Sequence, residues 1–105
     1  MEEALTIMTT TADKEQAQEI ARILVENRLA ACVQICGPME SYYFWQGEMK
    51  EATEWLCLIK TRKGMWDRVA ACLRQHHPYQ VPEIIAVPIS NCDQDYLQWL
   101  KRQVP

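Results

Sequence analysis

The stretch that decides the fold is SYYFWQGEMKEATEWLCLIKT, residues 41–61. It contains two runs rich in aromatic and aliphatic side chains on either side of Gln46-Gly47. Two such runs around a short turn that contains glycine predict a β-hairpin. Upstream, LAACVQI (29–35) begins the first of the two strands, and Gly37-Pro38 predicts a bulge or bend within it. The sequence therefore predicts a long antiparallel hairpin in the middle of the chain.

Helical patterns lie on both sides of this hairpin. Asp13 precedes apolar residues that recur three and four positions apart, which predicts a capped amphipathic helix of about 14 residues. A second helix is predicted from about Gly64 to His77, and a short third helix closes the chain. Apolar runs at 4–10 and 82–90 predict strands, the second of them covered on both faces. The order βαββαβ plus a C-terminal helix predicts an α+β, ferredoxin-like sandwich.

Length, charge and cysteine content limit the class of protein. The chain of 105 residues suits one domain, which we expect to span residues 1–105. A net charge of −3 without a dense run of Lys or Arg argues against nucleic acid or a membrane as partner. Nothing in the sequence resembles a signal peptide or a transmembrane stretch. Five irregularly spaced cysteines favour reduced thiols, and we expect a cytoplasmic protein.

The hairpin carries more apolar side chains than a sheet with one open face can hide. Because side chains alternate along a strand, Tyr42 and Phe44 should point to one face, and Tyr43 and Trp45 to the other. Trp55 adds a further aromatic ring on the partner strand. Monomeric proteins rarely expose large contiguous apolar patches. The pattern therefore predicts an obligate homo-oligomer built through the hairpin and the open sheet face.

Two adjacent histidines, His76 and His77, stand before a proline in LRQHHPYQVPEI (73–84). A residue before proline is pushed out of the α region, so the second helix should end near His77. Imidazoles in a last turn can also bond free carbonyl groups, and contact with a metal or ligand is the alternative role. Adjacent helical residues project about 100° apart, so these two histidines do not easily share one metal. Cys72, four residues before His76, makes the best-spaced pair of ligands. Both residues lie on the expected core stripe of the helix, so core packing is the alternative role for Cys72.

The segment after the histidines carries further polar candidates. Glu83 lies just before a strand that we expect to be buried, where a carboxylate needs a partner. A loop that holds His77, Tyr79 and Glu83 near a subunit boundary would suit a small anionic ligand or a metal ion. Both kinds of ligand stay open at this point.

Four segments together resemble the CutA (divalent-cation tolerance) family, in the right order and over essentially the whole chain. They are ENRLAACVQI, SYYFWQGEMKEATEWLCLIKT, HHPYQVPEIIAVPIS and DYLQWL. The resemblance implies a ferredoxin-like fold close to that of PII signalling proteins, and a tight homotrimer in which the hairpin strands of three chains combine. It also implies a cytoplasmic protein linked to tolerance of copper and other divalent metals. The expected trimer-interface residues are Tyr42, Tyr43, Phe44, Trp45 and Trp55.

The resemblance also implies candidate metal ligands. The copper site assigned in some bacterial members uses a cysteine at the end of the first strand and the paired histidines. Here the histidines are His76 and His77, and the cysteine position falls at Thr9. A hydroxyl group is a much weaker ligand for soft Cu(I) than a thiolate, so we expect weak binding. Thr9, Tyr79 and Glu83 are further candidates for a ligand cleft.

Two classes of function follow. One is a trimeric metal-tolerance protein, with copper or another divalent cation as its candidate cofactor. The other is a PII-like trimeric sensor or scaffold that binds a small molecule or a partner protein. The sequence contains no nucleophile elbow, P-loop or HExxH motif, so we expect no catalytic activity.

Overall fold

Four strands and three α-helices form residues 3–105, the part of the chain that the structure, a computed structural model, describes. A 3-10 turn at Lys63–Met65 leads into the second helix. The order is the predicted one, with the helix at the C-terminus following the last strand. The elements are β1 (Ala4–Thr11), α1 (Lys14–Glu26), β2 (Cys32–Trp45), β3 (Glu48–Arg62), α2 (Trp66–His76), β4 (Ile85–Pro88) and α3 (Gln94–Gln103).

The sheet has the strand order β2-β3-β1-β4, and each neighbouring pair is antiparallel. Residues from α1 and α2 form one buried cluster with residues of β1 and β3. Ile20, Leu24 and Leu73 of the helices join Ile7 and Ile59 of the strands, and none of the five is more than 4% exposed. Burying each such side chain contributes about 1.5–3 kcal/mol. The predicted ferredoxin-like α+β fold is confirmed.

A local polar residue sets the start of α1. The carboxylate of Asp13 accepts a hydrogen bond from the Gln16 N–H at 2.8 Å, which satisfies one of the free donors of the first turn. Ala17, Ile20 and Leu24 then face the core at helical spacing. The predicted cap is confirmed, and the helix has 13 residues against the expected 14 or so.

The central hairpin is much longer than the rest of the sheet. Its strands have 14 and 15 residues, whereas β1 has eight and β4 has four, so its end extends beyond the helices. The molecule is accordingly 45 Å long and about half as wide. Gln46 and Gly47 close the hairpin with φ angles of +53° and +81°, the left-handed pair that a tight two-residue turn requires.

The predicted irregularity at Gly37-Pro38 is present. The register of β2 against β3 shifts between Cys36 and Met39. Counted back from the turn without a shift, Cys36 would face Cys57, but it faces Leu56 instead. A bulge therefore changes which side chains of the hairpin share a face with the rest of the sheet.

The strand predicted over 82–90 is shorter than expected. β4 pairs with β1 over four residues, and Pro82 and Pro88 have no N–H to donate to a longer ladder. Ile85 and Val87 are each 47% exposed. The prediction of a strand covered on both faces is therefore wrong for a single chain, because no helix covers the second face at these residues.

The structure also bears on the membrane and thiol predictions. Within residues 3–105, no helix has the length and apolar character needed to cross a membrane. All five cysteines are free. Burial raises the pKa of the Cys57 thiol to about 11, so this side chain stays neutral and packs as a small apolar residue in the core.

Candidate functional site

His77 ends α2 and packs back onto the sheet. Its backbone is extended because Pro78 follows, and its N–H bonds the Leu73 carbonyl at 2.8 Å. Its ring Nε2 lies 2.6 Å from the Thr10 carbonyl oxygen, and the Tyr79 N–H donates to Nδ1 at 3.2 Å. Because a carbonyl only accepts, Nε2 carries the proton and Nδ1 holds the lone pair. Both ring nitrogens are thus engaged within the protein, and the predicted helix end is confirmed.

Tyr79 connects this histidine to a buried carboxylate. The two rings lie 4.6 Å apart between centroids, and the Tyr79 hydroxyl donates to Glu54 Oε2 at 2.8 Å. Burial, together with the hydrogen bond to Glu54 and the charge of Glu54, raises the pKa of Tyr79 far above its usual value. The hydroxyl therefore remains a donor. Glu54 itself is 7% exposed and lies in the middle of β3.

A pocket of about 570 Å³ opens over this carboxylate. The alternation along β3 puts Glu54 on the face opposite Trp55 and Cys57, which pack against the core. The pocket therefore lies on the face of the sheet opposite α1 and α2, under the loop that follows α2. Its volume is in the range of about 300–1,000 Å³ that is typical of small-molecule sites. Its main lining residues are Thr10, Tyr43, Trp45, Glu54, Tyr79 and Glu83.

The charge in this pocket is negative. Glu54 and Glu83 are the two ionisable carboxylates in its lining, and no lysine or arginine of the described chain lines it. The carboxylate of Asp13 also lies close enough to Tyr79 to raise the pKa of that hydroxyl further. A negative field repels anions, so this geometry disfavours the small anion considered above and favours a positively charged ligand.

Of the predicted cleft residues, Thr9 lies elsewhere than expected, whereas Tyr79 and Glu83 line the pocket. Thr9 is fully buried on the core face of β1, and its hydroxyl has no hydrogen-bond partner within residues 3–105. Its neighbour Thr10 lines the pocket instead, because successive side chains point to opposite faces. Glu83 is exposed at the pocket wall and needs no partner, which corrects the expectation of a buried carboxylate there.

The buried carboxylate is Glu54, which the sequence reasoning did not single out. Its signal was present, because an acidic residue stands directly before the apolar run Trp55–Ile59 in the middle of a strand. β3 is a central strand that pairs with both β1 and β2. Burying a charged side chain on such a strand is costly unless the side chain has a hydrogen-bonding or charged partner. That rule would have pointed to Glu54 before Glu83.

Four of the five expected interface residues are exposed on the hairpin. Tyr42, Tyr43, Phe44 and Trp45 are between 36% and 77% exposed. Trp55 differs, because it is partly buried and packs against the core cluster. The apolar end of the hairpin therefore consists of these four side chains of β2 together with Met49 of β3, which is 64% exposed. Trp55 packs beneath it, against the bulge at Gly37.

The model of the CutA1 divalent ion tolerance protein family matches residues 5–103. The chain belongs to this family. A divalent-cation tolerance protein CutA from Thermus thermophilus is 45% identical over 95 residues, which cover 90% of this chain and 92% of the relative.

Solved structures of CutA1 proteins agree with the fold. The structure from Shewanella sp. SIB1 superposes with a TM-score of 0.95 at 40% identity, covering 99% of this chain and 97% of that one. The structure from Oryza sativa gives a TM-score of 0.95 at 35% identity, covering 98% and 94%. The aligned residues include the hairpin and the loop after α2.

The metal-ligand set implied by the CutA family does not come together in one chain. Both ring nitrogens of His77 are engaged, and Thr9 faces the core. His76 is exposed, with Nδ1 3.0 Å from the Cys72 carbonyl oxygen and 3.7 Å from Cys72 Sγ. Within residues 3–105, no group of three or more His, Cys, Asp or Glu side chains could hold a metal ion. Thr9, His76 and His77 therefore do not fit a resident copper ion as one site.

Proposed function

We propose that this chain is a divalent-cation tolerance protein that acts as a homotrimer in the cytoplasm and binds metal ions weakly rather than catalysing a reaction. The observation that carries the proposal is the family match along residues 5–103. The relative from Thermus thermophilus carries the name divalent-cation tolerance protein CutA and aligns over most of both chains. The name refers to divalent cations in general, and copper is our more specific proposal.

The exposed apolar surface supports the trimer. The hairpin extends past the helices and leaves four large aromatic side chains exposed near its end. Ile85 and Val87 add exposed apolar area on the face of β4 opposite α1 and α2. β2 and β4 are the edge strands of the sheet, so each can pair with or pack against another chain. Surfaces of this kind are common where identical subunits meet.

His76 is the best-placed side chain for the proposed metal contact. The contact with the Cys72 carbonyl requires a proton on Nδ1, which leaves a lone pair on Nε2 that has no protein partner within residues 3–105. Cys72 offers a sulfur atom one helical turn away. Burial raises the pKa of the Cys72 thiol, which disfavours the thiolate that a soft metal needs. One exposed imidazole beside a neutral thiol is a weak site.

Substitution of the two histidines tests this assignment. We expect His76→Ala to weaken copper binding by about tenfold, since one nitrogen ligand is lost, whereas His77→Ala leaves the affinity unchanged. Isothermal titration of copper(II) chloride into the full chain measures both values, with Cys72→Ser as a variant that retains the imidazole. Equal losses in His76→Ala and His77→Ala, or no loss in either, would remove the metal role from His76.

A second candidate function is favoured by the pocket over Glu54. It is the PII-like sensor or scaffold, in which a trimer binds a small molecule near its subunit boundaries. The pocket has the volume of a small-molecule site and combines aromatic walls with few polar groups. The two functions use different residues, because His76 does not line this pocket.

A further inference from the structure

The Glu54 carboxylate lacks a cation, although it lies in the interior of the fold. At 7% exposure it accepts one hydrogen bond, from the neutral Tyr79 hydroxyl to Oε2. No lysine, arginine or histidine within residues 3–105 forms an ion pair or hydrogen bond with it. Carboxylates are rarely buried to this extent without being paired. A pairing partner from outside the chain is therefore expected.

The lysines nearest along the same face of β3 are engaged elsewhere. Lys50 lies four residues before Glu54 and therefore on the same face of the strand. Its Nζ is 3.1 Å from Glu48 Oε1. Lys60 lies six residues after Glu54, again on the same face, and its Nζ is 2.6 Å from Gln34 Oε1. Within residues 3–105, neither lysine is therefore paired with Glu54.

The walls of the pocket match an organic cation better than a bare metal ion. The rings of Tyr43, Trp45 and Tyr79 line the space next to Glu54. Aromatic faces attract ammonium and guanidinium groups, and the alkyl part of such a molecule gains by covering apolar surface. A divalent metal ion needs several oxygen, nitrogen or sulfur ligands, and aromatic rings supply none. Tyr43 and Trp45 are exposed in the single chain. Because both are also expected at the subunit interface, the ligand would lie at the boundary between two subunits of the proposed trimer.

We propose that the pocket over Glu54 binds a small organic cation, with its ammonium or guanidinium group against the Glu54 carboxylate and its apolar part between Trp45 and Tyr79. The free carboxylate oxygen, Oε1, accepts from the cation, while Oε2 keeps its bond from Tyr79. This site is separate from the proposed metal contact at His76. The inference goes beyond metal tolerance and does not depend on it.

Titration of the full chain with n-butylammonium chloride tests the proposal. We expect saturable shifts in the amide NMR signals of the pocket residues, with a dissociation constant on the order of 1 mM for so small a probe. The neutral n-butanol and the anionic butyrate have similar shapes and should give no saturable shifts. Binding of butyrate equal to that of butylammonium would overturn the proposal.

Two variants locate the site. Glu54→Gln keeps the size and the acceptor for Tyr79 but removes the charge, and we expect affinity for butylammonium to fall about tenfold. Glu51→Gln changes an exposed glutamate on the opposite face of β3 and should leave affinity within about twofold. Trp45→Leu changes a partly exposed residue and should weaken binding about threefold through the lost ring. Unchanged affinity in both Glu54→Gln and Trp45→Leu would overturn the assignment.

Native mass spectrometry of the same variants shows which cation pairs with Glu54. The candidates are a free organic ligand, a lysine or arginine of a second copy of the chain, and a metal ion. Dissociation of the assembly in Glu54→Gln, without any binding of butylammonium to the unsubstituted chain, would assign the pocket to a lysine or arginine of a second copy and overturn the proposal. Copper binding that is lost in Glu54→Gln but kept in His76→Ala would assign the pocket to a metal ion and overturn it as well. Failure of the His76 test alone leaves the butylammonium result unaffected.

Discussion

His77→Ala is expected to lower the free energy of unfolding by about 2–4 kcal/mol. The ring of His77 is 8% exposed, donates to the Thr10 carbonyl and accepts from the Tyr79 N–H. Removing it leaves a buried acceptor and a partly buried donor without partners, and it opens a cavity between α2 and β1. Each unsatisfied buried group costs about 1–3 kcal/mol. Urea unfolding at a fixed protomer concentration measures the loss.

The neighbouring histidine provides the matched control. His76 is exposed, and its ring contacts its own helix at Cys72, so His76→Ala should change stability by no more than about 0.5 kcal/mol. Each histidine is thus expected to affect one measured quantity and not the other. The free energy of unfolding depends on His77, and the proposed copper affinity depends on His76. Equal destabilisation by both substitutions would contradict the tautomer and contacts assigned to His77.

Gly37→Ala is expected to lower the free energy of unfolding by about 1–3 kcal/mol. A Cβ atom at this position would lie 2.7 Å from Trp55 Cδ1, 2.9 Å from Trp55 Cγ and 3.1 Å from the Glu54 carbonyl oxygen. Trp55 packs against the core, so its ring cannot move away freely. The bulge would have to open, and the hairpin and the Glu54 pocket would shift with it. Urea unfolding again measures the effect.

Gly64→Ala is the control for this substitution. No atom lies within 4 Å of a Cβ built at Gly64, and its φ angle is not positive. The added methyl group should therefore be neutral or stabilise the protein by up to about 1 kcal/mol, because it restricts the unfolded chain. If Gly37→Ala were as well tolerated as Gly64→Ala, the close packing of Trp55 at the bulge would be refuted.

Much of the fold could be predicted because it depends on local patterns. The tight turn at Gln46-Gly47, the bulge at Gly37-Pro38 and the cap at Asp13 each have a chemical cause within a few residues. The end of α2 follows from Pro78 alone. Together with the order of the elements, these features leave few sheet topologies open.

The site was less predictable because its contacts join residues that are distant in the sequence. The Nε2 of His77 bonds a carbonyl 67 residues away, and Tyr79 bonds Glu54 across 25 residues. No spacing rule relates such pairs. Thr9 was placed in the cleft through the family resemblance, but the alternation of β1 turns it towards the core and presents Thr10 instead.

The extent of β4 could not be predicted from the apolar run 82–90 for a different reason. Apolar residues on both faces of a strand indicate that both faces are covered, but they do not say by what. In the single chain, the face with Ile85 and Val87 is uncovered. In the proposed trimer, contacts between subunits cover exposed apolar surface of this kind, and the pattern in the sequence then describes the assembly rather than the isolated chain.

Native mass spectrometry of the full chain purified without chelator is the most direct test of the proposed trimer. We expect a dominant species of three times the chain mass of 12.3 kDa at micromolar protein. The same spectra should show that metal is lost on buffer exchange, as expected for weak sites. A dominant species of 12.3 kDa under the same conditions would contradict the proposed trimer.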